Sequence, residues 1–187
     1  MKKLIVCLLL CCSTIPAFAQ EIAKPSTPAQ LPAVDPAERE AVVRLLRVIH
    51  DLPPRESFEE ATANPVSVLR ELASGNGPIA ERAVMALFMW PNDQTFELVM
   101  DMLSDVNTPD GRRHRLLVHL ATSYGERATD VVVAHLQHAD AQMRITAASA
   151  VAKIRTEKAF EALDAAIAAE ENAAVARAMQ RYARRIR

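Results

Sequence analysis

Leu72, Leu103, Leu136 and Ile167 lie 31, 33 and 31 residues apart, each late in a segment with helical apolar spacing. Ile79, Met143 and Val175 follow three of them by seven or eight residues, and Trp90, Ile154 and Ile186 by eighteen or nineteen. A period of this length marks a chain built from stacked supersecondary units. One helical hairpin cannot cover its own apolar stripe, so a neighbour of the same kind must stack on it. The spacing predicts four helix-pair units, at 65–90, 93–122, 129–154 and 157–186. The second breaks the pattern, because Asp110 stands where an apolar residue is expected.

Composition agrees with an all-α chain. Half of the residues are apolar but only 4 % are aromatic; 33 are Ala and 4 are Gly, which excludes a collagen-like or wholly disordered polymer. Val42, Leu45, Leu46 and Ile49 share one helix face, and Asp51-Leu52-Pro53-Pro54 is expected to end that helix. A short helix is expected at 57–61. Asn64-Pro65, Gly77-Pro78 and Thr108-Pro109 each have the form of a cap followed by a first-turn proline, and Asn92 and Thr156 are further caps. Phe96, Val99, Met100 and Leu103, then Phe160, Leu163 and Ile167, repeat the helical spacing. No stretch alternates as a strand does, and Val131 to Val133 is too short to be one.

Residues 1–19 have the form of a secretory signal peptide. Lys2 and Lys3 precede an apolar run to Cys12, and Ala17-Phe18-Ala19 is a small-x-small cleavage pattern before Gln20. The run is shorter than the ~20 residues of a membrane anchor, so no stable insertion is expected after cleavage. All three cysteines, Cys7, Cys11 and Cys12, fall in this leader, so the exported chain is expected to have no disulfide, thiol nucleophile or thiolate zinc site. Without the two leader lysines, 20 basic side chains face 23 acidic ones, a balance that does not suit nucleic acid. A periplasmic or secreted location is expected. Residues 20–36, with Pro25, Pro28, Pro32 and Pro36, are expected to form a flexible linker, and 37–64 to form capping helices ahead of an array at 65–187.

The segment Val132-Val133-Ala134-His135-Leu136-Gln137-His138-Ala139-Asp140-Ala141-Gln142-Met143-Arg144, continuing through Ala147-Ala148-Ser149-Ala150-Val151-Ala152-Lys153-Ile154, resembles the short bacterial kind of HEAT repeat. That family has a leucine-rich first helix, an acidic turn, an apolar-Arg pair and an Ala-rich second helix. The resemblance extends over about 120 residues, loosely in the first and fourth units and poorly in the second. It implies a right-handed α-solenoid of about four hairpins whose second helices line a concave face and bind another macromolecule. It also implies a structural role for Arg144, which in the family links neighbouring repeats through the acidic turn. The iron hydroxylases of HEAT type use His-Glu dipeptides, and this chain has none.

On a wheel of about 100° per residue the second helices show a core stripe and an opposite side. Ile79, Ala83, Leu87 and Trp90 form the stripe of the first unit, with Met85, Phe88 and Met89 opposite. The matching residues are Ser149, Ala152 and Lys153 in the third unit and Arg181, Arg184 and Arg185 in the fourth, with Val118 or His119 in the second. A groove running from Met and Phe to Arg would suit a protein or peptide partner with apolar anchors and a carboxylate-rich end. Met85, Phe88, Met89, Lys153, Arg181, Arg184 and Arg185 are the candidate contacts. The competing expectation is that the apolar three pack beneath Leu45 and Ile49, and that the arginines answer the helix dipole.

His135 and His138, spaced i, i+3, are a second and weaker candidate, for a metal, although helix C-termini favour histidine without one. The Gly-Arg-Arg-His-Arg run at 111–115 is expected to be a solvated helix start. No nucleophile elbow, phosphate loop, zincin motif or EF-hand loop occurs, so no catalysis and no cofactor are expected. A structural subunit of a larger envelope assembly is the remaining expectation. The fourth unit, with eight Ala between 165 and 178, is expected to be the least stable.

Overall fold

The computed structural model describes residues 34–185 except Ile49. The leader, linker residues 20–33, Ile49 and Ile186 therefore lie outside the described residues. The described chain is all-α, with helices α1 (Pro36–Leu46), α2 (Arg55–Ala61), α3 (Pro65–Ala73), α4 (Pro78–Leu87), α5 (Asp93–Ser104), α6 (Asp110–Tyr124), α7 (Thr129–His135), α8 (Ala141–Ile154), α9 (Glu157–Ala169) and α10 (Ala173–Ala183). A 3₁₀ turn, Gly125–Ala128, joins α6 to α7.

Local chemistry sets most of these boundaries. Pro36, Pro65 and Pro78 stand in the first turns of α1, α3 and α4, where the missing N–H has no helical partner to lose. Asn92, Asp140, Thr156 and Asn172 cap α5, α8, α9 and α10 by accepting hydrogen bonds from backbone N–H groups two or three residues on. Asp35 caps α1, so residues 35 and 36 belong to a helix rather than to the linker. At Thr108-Pro109 the cap is Pro109, not Thr108: its carbonyl accepts from Arg112 and Arg113, while Thr108 turns back to Asp105 and is buried.

Two helices stop earlier than their spacing suggests. α1 ends at Leu46, short of Asp51, because the Arg47 N–H closes back on Val43 and Arg44 and exposed Val48 offers nothing to bury. α4 ends at Leu87, so Trp90 lies beyond it. The residue before a proline is pushed out of the helical region, and Pro91 follows Trp90. Trp90 instead sets its ring edge against Phe58, centroids 6.1 Å apart, and donates from Nε1 to Glu59.

Neighbouring helices pack in pairs: α3 on α4, α5 on α6, α7 on α8 and α9 on α10. Between pairs, α6 lies on α8, α8 on α10, α7 on α9, and α1 on both α3 and α4. One continuous core runs from Val42 and Leu46 through Leu87, Leu117 and Val151 to Met179. Polar links also join residues far apart in the chain, several of them 31 or 32 residues apart and others, between helix pairs, 24 to 28. Arg39 donates to Glu71, 32 residues on; Arg82 reaches the His50 carbonyl 32 residues back; Arg112 reaches Glu81 31 residues back; Tyr124 reaches the Asn92 carbonyl 32 residues back. In the second unit, Arg112 occupies the third position of α6, 8 % exposed, where the other units carry Met143 and Val175.

Arg144 anchors the junction of the last two pairs. Its Nε and Nη2 donate to the two carboxylate oxygens of Glu170, at 2.7 and 2.9 Å, and its Nη1 reaches the carbonyls of His138 and Ala139. The Glu170 side chain is 6 % exposed. Truncating either partner strands the other, which costs more than the net bond. A double-mutant cycle on Arg144→Met and Glu170→Gln in urea unfolding should therefore give a coupling energy of about 1–2 kcal/mol. Additive single effects would mean that the pair holds nothing together.

Candidate functional site

The second helices come into register when each is counted from its cap: Gly77 for α4, Pro109 for α6, Asp140 for α8 and Asn172 for α10. The third positions are Ala80, Arg112, Met143 and Val175, all buried. Phe88 then matches Leu120, Val151 and Ala183, each at most 9 % exposed. The buried face is thus wider than the expected stripe: Ala83 and Leu87 are buried as the wheel predicts, and Ala80, Val84 and Phe88 beside them are buried too. Ile79 is half-buried, and Ala80 takes its place.

The same count takes Phe88 out of the expected groove. Phe88 is a core residue, its ring stacked on His119 of α6 with centroids 5.2 Å apart. Met85, on α4, and Met89, two residues past its end, are half-buried and pack against the core. Glu81 is held by two residues of α6, Arg112 Nε and Arg115 Nη2, each at 2.6 Å. Phe88 is part of the core rather than of an open surface. A cap-based count could have shown this, since Gly77-Pro78 is visible in the sequence.

The polar end is on the surface. Lys153, Arg181, Arg184 and Arg185 are exposed. Counted from their caps, Ser149 matches Arg181, and Lys153 matches Arg185, on two helices that pack together. Val118 and Thr122 hold the same places on α6, and Val118 is half-buried. Arg184 Nε lies 3.4 Å from the Gln180 carbonyl, and the Arg185 guanidinium sits 5.7 Å from the Tyr182 ring centre. Lys153 and Arg181 form no ion pair among the described residues. The basic candidates are thus exposed, whereas Phe88 is buried.

His119 is the residue that pattern alone did not place. It lies between Phe88 on α4 and the start of this basic surface. Burial pushes its pKa below the usual histidine value, and the charges of Lys153 and Arg115 push in the same direction. A carboxylate shows the opposite case: the Arg144 hydrogen bonds hold Glu170 below its ordinary range despite burial.

His135 and His138 stack face to face, centroids 5.9 Å apart and 7° from parallel. His135 Nδ1 is bonded to the Val131 carbonyl, and His138 Nδ1 accepts from the Asp140 N–H. No group of three or more His, Cys, Asp or Glu able to hold a metal occurs among the described residues. On the side of the first helices, an open cleft of about 820 Å³ runs between α7 and α9, lined by Leu136, Ala162, Ala166 and the Arg144–Glu170 pair. No helix among the described residues is long and apolar enough to cross a membrane.

What the geometry defines is an all-α domain of paired helices with a basic surface on α8 and α10. Comparison with protein-family models, with curated proteins and with solved structures returns no match.

Two outcomes follow from the position of His119 against Phe88. Phe88→Ala should destabilise the fold by about 3 kcal/mol or more, measured in urea, as for other core phenylalanines; a loss near zero would return Phe88 to the surface. His119 has a lowered native pKa, so the unfolded chain takes up its proton first as pH falls. Its contribution is complete above the ordinary value of 6.5 and is lost as pH drops through the lower native value. His119→Phe keeps the ring stack and should flatten that part of the melting-temperature profile. An unchanged acid slope would contradict this.

Proposed function

We propose that the chain is an exported, non-catalytic binding module whose helix pairs stack as a HEAT-like right-handed α-solenoid. It engages a protein or peptide partner in the cell envelope through the face of its second helices. The observation that carries this proposal is the stacking of successive second helices, α6 on α8 and α8 on α10, with Glu81 of the first pair bonded to Arg112 and Arg115 of the second. The apolar-Arg pair at Met143-Arg144, with Arg144 bonded to the next turn, supports the HEAT-like assignment. The leader pattern supports export.

The contact surface of this module is Lys153, Arg181 and Arg185 with Ser149 and Thr122, rather than the Met/Phe cluster. Exposed cations of one sign speed association with a complementary partner and give it specificity.

Capture from the cell envelope tests the proposal. The full chain, expressed with its own leader and tagged at its C-terminus, should retain a discrete partner. Lys153→Glu with Arg181→Glu should lose that partner while melting at the same temperature. A partner held equally by the variant would move the contact elsewhere, and capture of none would remove the binding module. Insolubility of the chain when expressed alone would favour a permanent structural subunit.

A further inference from the structure

The edge of α10 away from α8 differs from the corresponding edges of α6 and α8. Eight places past their caps, α6 and α8 carry Leu117 and Ala148, both fully buried, and each of these helices packs on the next second helix. The same place on α10 is Gln180, which is exposed. Five places past the cap, His114 of α6 lies 3.6 Å from the carboxylate of Asp140, the cap of α8. The corresponding residue of α10 is Arg177, exposed and in no ion pair among the described residues. Arg181 and Arg184 continue the edge, and no Asp or Glu occurs from Asn172 to Arg187; the one carboxylate lining the shallow pocket beside Gln180 and Arg184 is Asp164 of α9.

An exposed helix edge needs polar side chains, but it does not need a single sign of charge along the helix. Nor does the helix dipole account for the whole edge. It favours cations in the last turn, whereas Arg177 stands in the second turn.

We infer that the Arg177–Arg181–Arg184 edge of α10 docks an acidic helix of a partner protein, laid alongside α10 where a further second helix would pack. At 1.5 Å rise per residue these arginines stand about 6 and 10 Å along the axis. Glutamates spaced i, i+4, i+7 on the incoming helix would meet them, and guanidinium forks bind carboxylates in the two-pronged way seen at Arg144 and Glu170. This inference rests on the binding-module proposal and names its partner by chemistry.

The probe is a fluorescent Ala/Gln helical peptide with Glu at i, i+4, i+7, titrated into the full chain and followed by anisotropy. A second peptide of equal composition has its Glu scattered around the helix. The ordered peptide should bind about tenfold more tightly than the scattered one. Arg177→Gln with Arg181→Gln should abolish that preference and reduce the salt dependence without changing the melting temperature. Equal binding of the two peptides would overturn the inference. So would tighter binding of anionic lipid vesicles or a single-stranded oligonucleotide at the same salt concentration. An envelope partner that binds Arg177→Gln/Arg181→Gln undiminished would overturn the inference and leave the binding-module proposal standing. Absence of both peptide and envelope partner would remove both.

Discussion

A pair of short helices has more apolar surface than it can cover, and that surplus dictates the rest of this structure. α8 alone buries Met143, Ala147, Ala148, Val151 and Ile154, which lie on too wide a face for one neighbour to cover. It is therefore packed by α6, α7, α9 and α10. The polar links decorate the same junctions. Glu81 collects Arg112 and Arg115 where two pairs meet, and both the hydrogen bonds and the positive charges of those arginines lower its pKa against the cost of burial. Buried ionic contacts of this kind fix register more clearly than they add stability. Here Glu81 ties the first pair to the second and Arg144 ties the third to the fourth, at different spacings.

Much of the fold was legible because short-range chemistry and long-range packing agree. Proline in a first turn, Asn92 and Thr156 at caps, and helical apolar spacing all mark the same boundaries. The exceptions have local causes. Pro91 pulls Trp90 out of its helix, and Pro109 takes over the cap that Thr108 was expected to provide. The apparently defective second unit hides a substitution of kind: Arg112 and its carboxylate partner replace an apolar side chain, which a hydrophobicity pattern scores as a gap.

The candidate surface was less legible, for a reason of phase. A helix wheel fixes relative angle, not origin, so only counting from Gly77 matches Phe88 with the buried Leu120, Val151 and Ala183. Wide burial adds to the ambiguity. Ala83 and Leu87 are as buried as Ala80 and Val84, because α4 is covered by both α1 and α3. The arginines of α10 were placed on the surface by their charge alone, but Arg177 stood out only once the caps gave the register. His119 could not be assigned from pattern, since its surroundings come from α4 and from the charge of Lys153 on α8.

The spacing of the inter-pair links has a kinetic side. Among the described residues the polar links span at most 34 residues, from Glu81 to Arg115 and from Asp93 to Arg127. Loop closure over such distances is cheap, and chains dominated by nearby contacts fold quickly. Each junction is complete once two consecutive pairs exist, so structure can begin at any of them and spread in both directions. A chain organised this way has no need to hold its two ends together before its first contacts become favourable.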